Sequence, residues 1–209
     1  ATGVRLEISE IITGRLGNLA EKITVSERNT EGAQDSPTAL KQSSVRRLSA
    51  EQTRLLKYQL RYPEDTSNNL PAAWLIEGEL DLDSFKVSMK RLYERQTALR
   101  TIISEGEHGH HLLLLHVAET ETLEIKDFSE NKNPLDDAIK EATERTKQPF
   151  TVINNQLCYV CLYKLAPNNH LISLLTHQLM FDGWSYDIFL KELEIFYTNI
   201  SQGNAASLD

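Results

Sequence analysis

The stretch LCYVCLYKLAPNNHLISLLTHQLMFDGWS, residues 157–185, decides how the chain is read. Residues 157–165 and 170–175 are rich in aromatic and apolar side chains and read as strands, and Pro167-Asn168-Asn169 between them is turn chemistry. The second strand runs out at His177-Gln178, Asp182-Gly183 follows, and a helix is predicted over 185–200 with Ile188, Phe189, Leu193, Phe196 and Ile200 inward. Gly183 is expected to supply the permissive backbone of a tight strand-to-helix turn. On spacing alone two readings of residues 176–185 stand: an active-site loop presenting a polar side chain at a strand end, or a capped turn with an incidental histidine.

Upstream, helices and strands alternate. A helix is predicted over 50–61, with Ser49 as N-cap, Gln52 as capping-box partner one position early, and Pro63 just past its end. A strand is predicted over 72–80. Asp81 or Asp83 then caps a helix to about residue 99, with Phe85, Met89, Leu92 and Tyr93 on one face. Strands over 101–104 and 112–117 flank a turn at 106–109, a short strand covers 123–128, and a helix covers 135–147 behind Pro134. This order, with at least one hairpin, predicts an α/β (α+β) domain whose mixed sheet is covered by helices.

Residues 25–46 lack periodicity and are rich in Ser, Thr, Gln, Glu and Asn, the composition of a linker. Residues 1–24 carry Ile8, Ile11, Ile12, Leu16, Leu19 and Ile23 at helical steps interrupted by Gly14 and Gly17. The chain has 209 residues, with 22 Lys+Arg against 30 Asp+Glu and a net charge of −8. That balance argues against nucleic acid, whose phosphates call for a clustered basic surface. No stretch approaches the ~20 apolar residues that span a bilayer, and no secretory signal opens the chain. A cytoplasmic protein is expected, and the opening Ala1 suggests a fragment or a processed chain.

Three other clusters carry less. His108, His110, His111 and His116 straddle a turn, and positions 110 and 111 face opposite sides of a strand, so no metal site is expected. Cys158 and Cys161 form a CxxC inside a strand, where an offset of three puts the thiols on opposite faces, so no redox or zinc pair is expected. The pairs Asp136/Asp137 and Glu192/Glu194 do not share helical faces and read as solvated surface.

The segment THQLMFDGWS (176–185) resembles the HHxxxDG core motif of nonribosomal peptide synthetase condensation domains, which belong to the chloramphenicol acetyltransferase-like superfamily. Three more stretches are similar in order. LSAEQTRLLKYQL (48–60) is similar to the family's Ser-x-x-Gln-x-Arg-Leu helix, RQTALRT (95–101) to its RHExLRT motif, and QPFTVINNQLCYVCLYKL (148–165) to its Pro-Phe turn and following strand. The resemblance covers about 47–202 and implies one chloramphenicol acetyltransferase-like lobe, the N-terminal half of a two-lobed domain, over 47–209. ISEIITGRLGNLAEKI (8–23) is similar to the last helix of a carrier domain, which makes 1–24 a carrier tail and 25–46 a linker.

The resemblance implies an enzyme that joins a carrier-bound acyl or peptidyl thioester to a carrier-bound amine. It implies no cofactor held directly; 4'-phosphopantetheine would come on partner carrier domains. The other implied partners are the C-terminal lobe and neighbouring synthase domains. Carried over residue by residue, His177 is the first motif histidine, Gln178 stands at the catalytic second position, and Asp182 and Gly183 are retained. The motif aspartate is expected to be structural and to pair with Arg95 or Arg100. An amide cannot act as a general base, and Gln96-Thr97 replaces the family's His-Glu, so reduced or absent condensation is expected. Two alternatives are a docking or scaffold module of a megasynthase and a standalone acyltransferase of the same superfamily.

Overall fold

The computed structural model describes residues 46–204 except 108. The expected carrier tail (1–24) and nearly all of the expected linker (25–46) lie outside the described residues. The elements run β1 (Arg46–Arg47), α1 (Ala50–Arg61), β2 (Asn69–Glu77), α2 (Leu82–Arg95), a 3₁₀ turn (Thr97–Arg100), β3 (Thr101–Gly106) and β4 (Gly109–Leu114). A second 3₁₀ turn (Val117–Glu119), β5 (Glu124–Asp127), α3 (Pro134–Thr146), β6 (Cys158–Ala166), β7 (Asn169–His177) and α4 (Gly183–Ser201) follow.

The main sheet has the order β2-β7-β6-β5, antiparallel except for the parallel β5–β6 pair. Parallel neighbours need a crossover, and α3 supplies it between β5 and β6. Alternation along β6 divides the core. Val160 and Leu162 face α2 and α4, where they meet Phe85, Met89, Phe189 and Leu193. Cys161, Tyr163 and Leu165 face α3 and Ala138. The sheet is therefore covered on both faces, as expected, and its central strands are buried runs rather than polar-apolar alternations. The CxxC thiols fall on opposite faces: Cys158 packs with the α2/α4 side and Cys161 with the α3 side.

A smaller sheet, β1-β4-β3, is tied to the main body by a parallel bridge between Ile103 and Ile153 and by Asn154 N–H donating to the Ile103 carbonyl at 2.7 Å. It encloses a third core with α1: Leu55, Leu56, Ile103, Val152, Leu157 and Leu179. Leu179 belongs to the segment between β7 and α4, so this core pins the loop singled out above. Among the described residues no helix is long and apolar enough to cross a membrane.

Helix α1 keeps its expected bounds, and the boundaries that move are set by neighbouring elements. Gln52 stands at N3 of α1, and the capping box with Ser49 closes in both directions. Strand β2 lies three residues earlier than expected. It is an edge strand, where Pro71 is tolerated, and Gly78 at φ +111° ends it. Helix α2 stops at Arg95, short of residue 99. The Arg100 guanidinium, which donates to the Tyr93 and Glu94 carbonyls at 2.9 and 3.2 Å, satisfies its last turn. Strand β4 ends at Leu114, where Arg100 also reaches the next carbonyl, that of Leu115, at 2.7 Å.

Candidate active site

Strand β7 delivers His177 into the protein with no exposure at all. Both ring nitrogens are engaged: Nδ1 accepts from the Leu179 N–H at 3.1 Å, and Nε2 lies 3.2 Å from Gln59 Oε1. The Phe150 ring meets the imidazole edge-on at 5.9 Å between centroids. Burial pushes the His177 pKa down to about 4, so the ring is neutral near pH 7. The proton accepted by Nδ1 comes from a backbone amide, which leaves the ring's own proton on Nε2.

Gln178 is the next residue and points the other way, as neighbours at a strand end do. Its side chain is exposed, while its backbone N–H donates to the Asn68 carbonyl at 2.9 Å. The following residues are held from α1, where Gln52 Nε2 donates to the Leu179 carbonyl at 3.0 Å. The loop is thus clamped below and open above, with a primary amide at the open side.

Asp182 is the N-cap of α4. Its Oδ1 accepts from the Ser185 N–H at 3.0 Å and the Ser185 hydroxyl at 2.6 Å, and the hydroxyl contact holds the carboxyl below its usual range. The expected pairing with an arginine is not formed. Arg95 donates to Glu192 at 2.9 Å, and Arg100 donates to three backbone carbonyls. Both arginines are committed by where α2 ends, which leaves Asp182 to its own helix. Gly183 also departs from expectation. It is the first residue of α4, its φ lies outside the left-handed region, and an added Cβ would meet nothing within 4 Å. The turn does not require a glycine.

Glu192 is not the solvated carboxylate expected from its spacing. Its side chain is 13% exposed and is clasped by Arg95 and by Gln96 Nε2 at 2.7 Å. Of the residues singled out by resemblance, the fold places His177, Gln178, Asp182 and Gly183 in one loop, with Arg95 and Arg100 serving α2 and its neighbours. Trp184 is 79% exposed and Ile188, one turn on, is 49% exposed, so apolar surface rims the loop. Among the described residues no cluster of histidine, cysteine or acidic side chains could hold a metal ion.

Sequence reasoning missed Gln59 and Asn68, both buried. A signal was present for the first: Gln52 and Gln59 share the helical face that carries Leu55 and Leu56, a polar intrusion on a core-facing stripe.

The family model of the condensation domain matches residues 42–209. A linear gramicidin synthase of Brevibacillus parabrevis is 29% identical over 164 residues, covering 77% of this chain and 2% of that protein. Nonribosomal peptide synthetase dtxS1 of Metarhizium robertsii is 31% identical over 152 residues, covering 73% of this chain and 2% of the relative. Among solved structures, the starter condensation domain of rhizomide synthetase RzmA superposes with a TM-score of 0.75 at 20% identity, over 80% of this chain and 40% of that one. The first condensation domain of the calcium-dependent antibiotic synthetase gives 0.71 at 20% identity, over 79% and 40%. The chain thus spans a small fraction of its curated relatives and about 40% of the solved domains. With the family model matching from residue 42 through the motif loop to residue 209, the chain belongs to the condensation domain family of nonribosomal peptide synthetases.

Proposed function

We propose that residues 47–209 form the N-terminal lobe of a condensation domain whose reaction site is degenerate, and that this lobe alone does not condense. The reaction of such a domain forms a C–N bond between an amine and a thioester carbonyl and breaks the C–S bond, with the amine proton passing to the departing thiol. Carrier domains would bring both partners on phosphopantetheine arms, as substrate carriers rather than resident cofactors. The observation that carries the reading is the division of labour at 177–178. The only imidazole of the loop is buried, neutral and bonded at both nitrogens, while the position open to a substrate holds an amide. Gln178 can orient an amine or a carbonyl by hydrogen bonding, but it cannot take a proton near neutral pH. Positioning is left as its contribution.

Exposed Trp184 and Ile188 beside the loop support a second lobe on this side of the molecule, because contiguous apolar surface next to a site marks an interface. A second reading, a docking or spacing module of a megasynthase, is favoured by the same amide at position 178.

Replacing Gln178 by His in the condensation domain that contains this chain, and assaying bond formation from two loaded carriers, separates the two. Restored turnover of ~10²–10⁴-fold, the usual contribution of a general base, is expected if the surrounding site is competent. Turnover that stays at background supports the scaffold. For the 209-residue chain alone, no product above the uncatalysed rate is expected.

A further inference from the structure

We infer that Gln59, on α1, is the positioning residue of the motif loop: its single amide group fixes the ring of His177 and the backbone of Gln178 by two separate routes. Gln59 is 1% exposed. Its Nε2 faces three carbonyls, those of Tyr62, Pro63 and Asp65, at 3.3, 3.4 and 2.9 Å. Three acceptors on one side settle which end of the amide is which, so Oε1 must point the other way. There it receives two donors, His177 Nε2 at 3.2 Å and Asn68 Nδ2 at 3.3 Å, which uses both of its lone pairs.

The first route selects a tautomer. With an oxygen as its neighbour, Nε2 must carry the proton, and Nδ1 is then free to accept from the Leu179 N–H and close the turn. A nitrogen in place of that oxygen would favour the other tautomer, and the Leu179 N–H would meet a second N–H. The second route runs through Asn68, whose side chain is held by Gln59 and whose carbonyl receives the Gln178 N–H. The backbone on both sides of the Gln178 side chain is therefore set from α1, far along the chain from β7.

The functional weight of this arrangement rests on the reading of residues 177–183 as a reaction loop, but its test uses no turnover, so a failure to condense leaves it standing. Ring nitrogens of His177 in this chain are read by long-range ¹H–¹⁵N correlation at pH 7. A protonated Nε2 and a bare Nδ1 are expected; a proton on Nδ1 overturns the inference without any variant. In Gln59→Met, the Nε2 proton loses its acceptor, so the Nε2 signal is expected to move and the Gln178 and Leu179 amides to exchange about tenfold or more faster, with β6 amides unchanged. An unaltered ring and unaltered loop amides, or an even rise across the sheet, would overturn it. Gln59→Glu keeps an oxygen opposite Nε2 and adds a charge, so the His177 titration midpoint is expected to rise; an unmoved midpoint counts against the assignment.

Discussion

His177 spends both ring nitrogens inside the protein, and this has a consequence for stability. Its folded pKa is depressed to about 4 against roughly 6.5 in an unfolded chain. Between those values the unfolded chain binds the extra proton, so stability is complete above about pH 6.5 and falls as pH drops toward 4. The loss attributable to this one group is on the order of 3 kcal/mol at most. Buried His170, also depressed chiefly by burial, acts in the same direction. Urea unfolding at pH 7, 6, 5 and 4 is expected to show this decline, and His177→Gln is expected to flatten it. At Asp182 the expectation is smaller. Removing the cap with Asp182→Ala should cost about 1 kcal/mol, because an exposed N-cap is lost and no arginine is left uncompensated. A loss of 3 kcal/mol or more in the same denaturation experiment would show that the carboxylate has a charged partner after all.

Helix α2 shows which features of an element can be read locally. Its start follows from Asp81, whose carboxylate accepts from the Asp83 N–H at 3.1 Å, and its inner face from the spacing of Phe85, Met89 and Leu92. Its end does not, because Arg100 closes it from beyond the helix while also holding the Leu115 carbonyl beyond β4. Replacing Arg100 by Leu strips a donor from three carbonyls at once and should cost roughly 2–3 kcal/mol, measurable by thermal or urea denaturation. The same division explains the rest. Helix α1 was legible to the residue because Ser49 before it and Pro63 after it are local signals, although Gln52 stands in register for the capping box rather than one position early. Strand β2 was misplaced by three because its limits come from pairing with β7, from Asn69 opposite His177 to Glu77 opposite Asn169. The motif loop was legible as a loop. The pairing of Asp182 was not, since it depended on two arginines whose partners are set by tertiary packing.

Across the whole molecule the two thiols act as reporters on opposite sides of one sheet. Burial pushes Cys158 up to about 12 and Cys161 to about 11, so neither is a nucleophile at neutral pH. Labelling with a thiol reagent at neutral pH is expected to be slow at both and slower at buried Cys161 than at half-buried Cys158, and no disulfide should form between them in the native state. Fast modification of Cys161 would show that the α3 face of the sheet opens by itself. The order of the strands also has a consequence in time. Leu70 and Thr176, hydrogen-bonded neighbours in adjacent strands, are 106 residues apart, and Gln59 is 118 residues from His177. A ribosome adding ~5–20 residues per second needs roughly five to twenty seconds to cover that gap. Throughout that interval β2 has no partner, and Gln59 Oε1 awaits the His177 ring that supplies its second donor. The motif loop is therefore the clasp of the fold: the nascent chain closes its main sheet and seats the His177 ring in one late event.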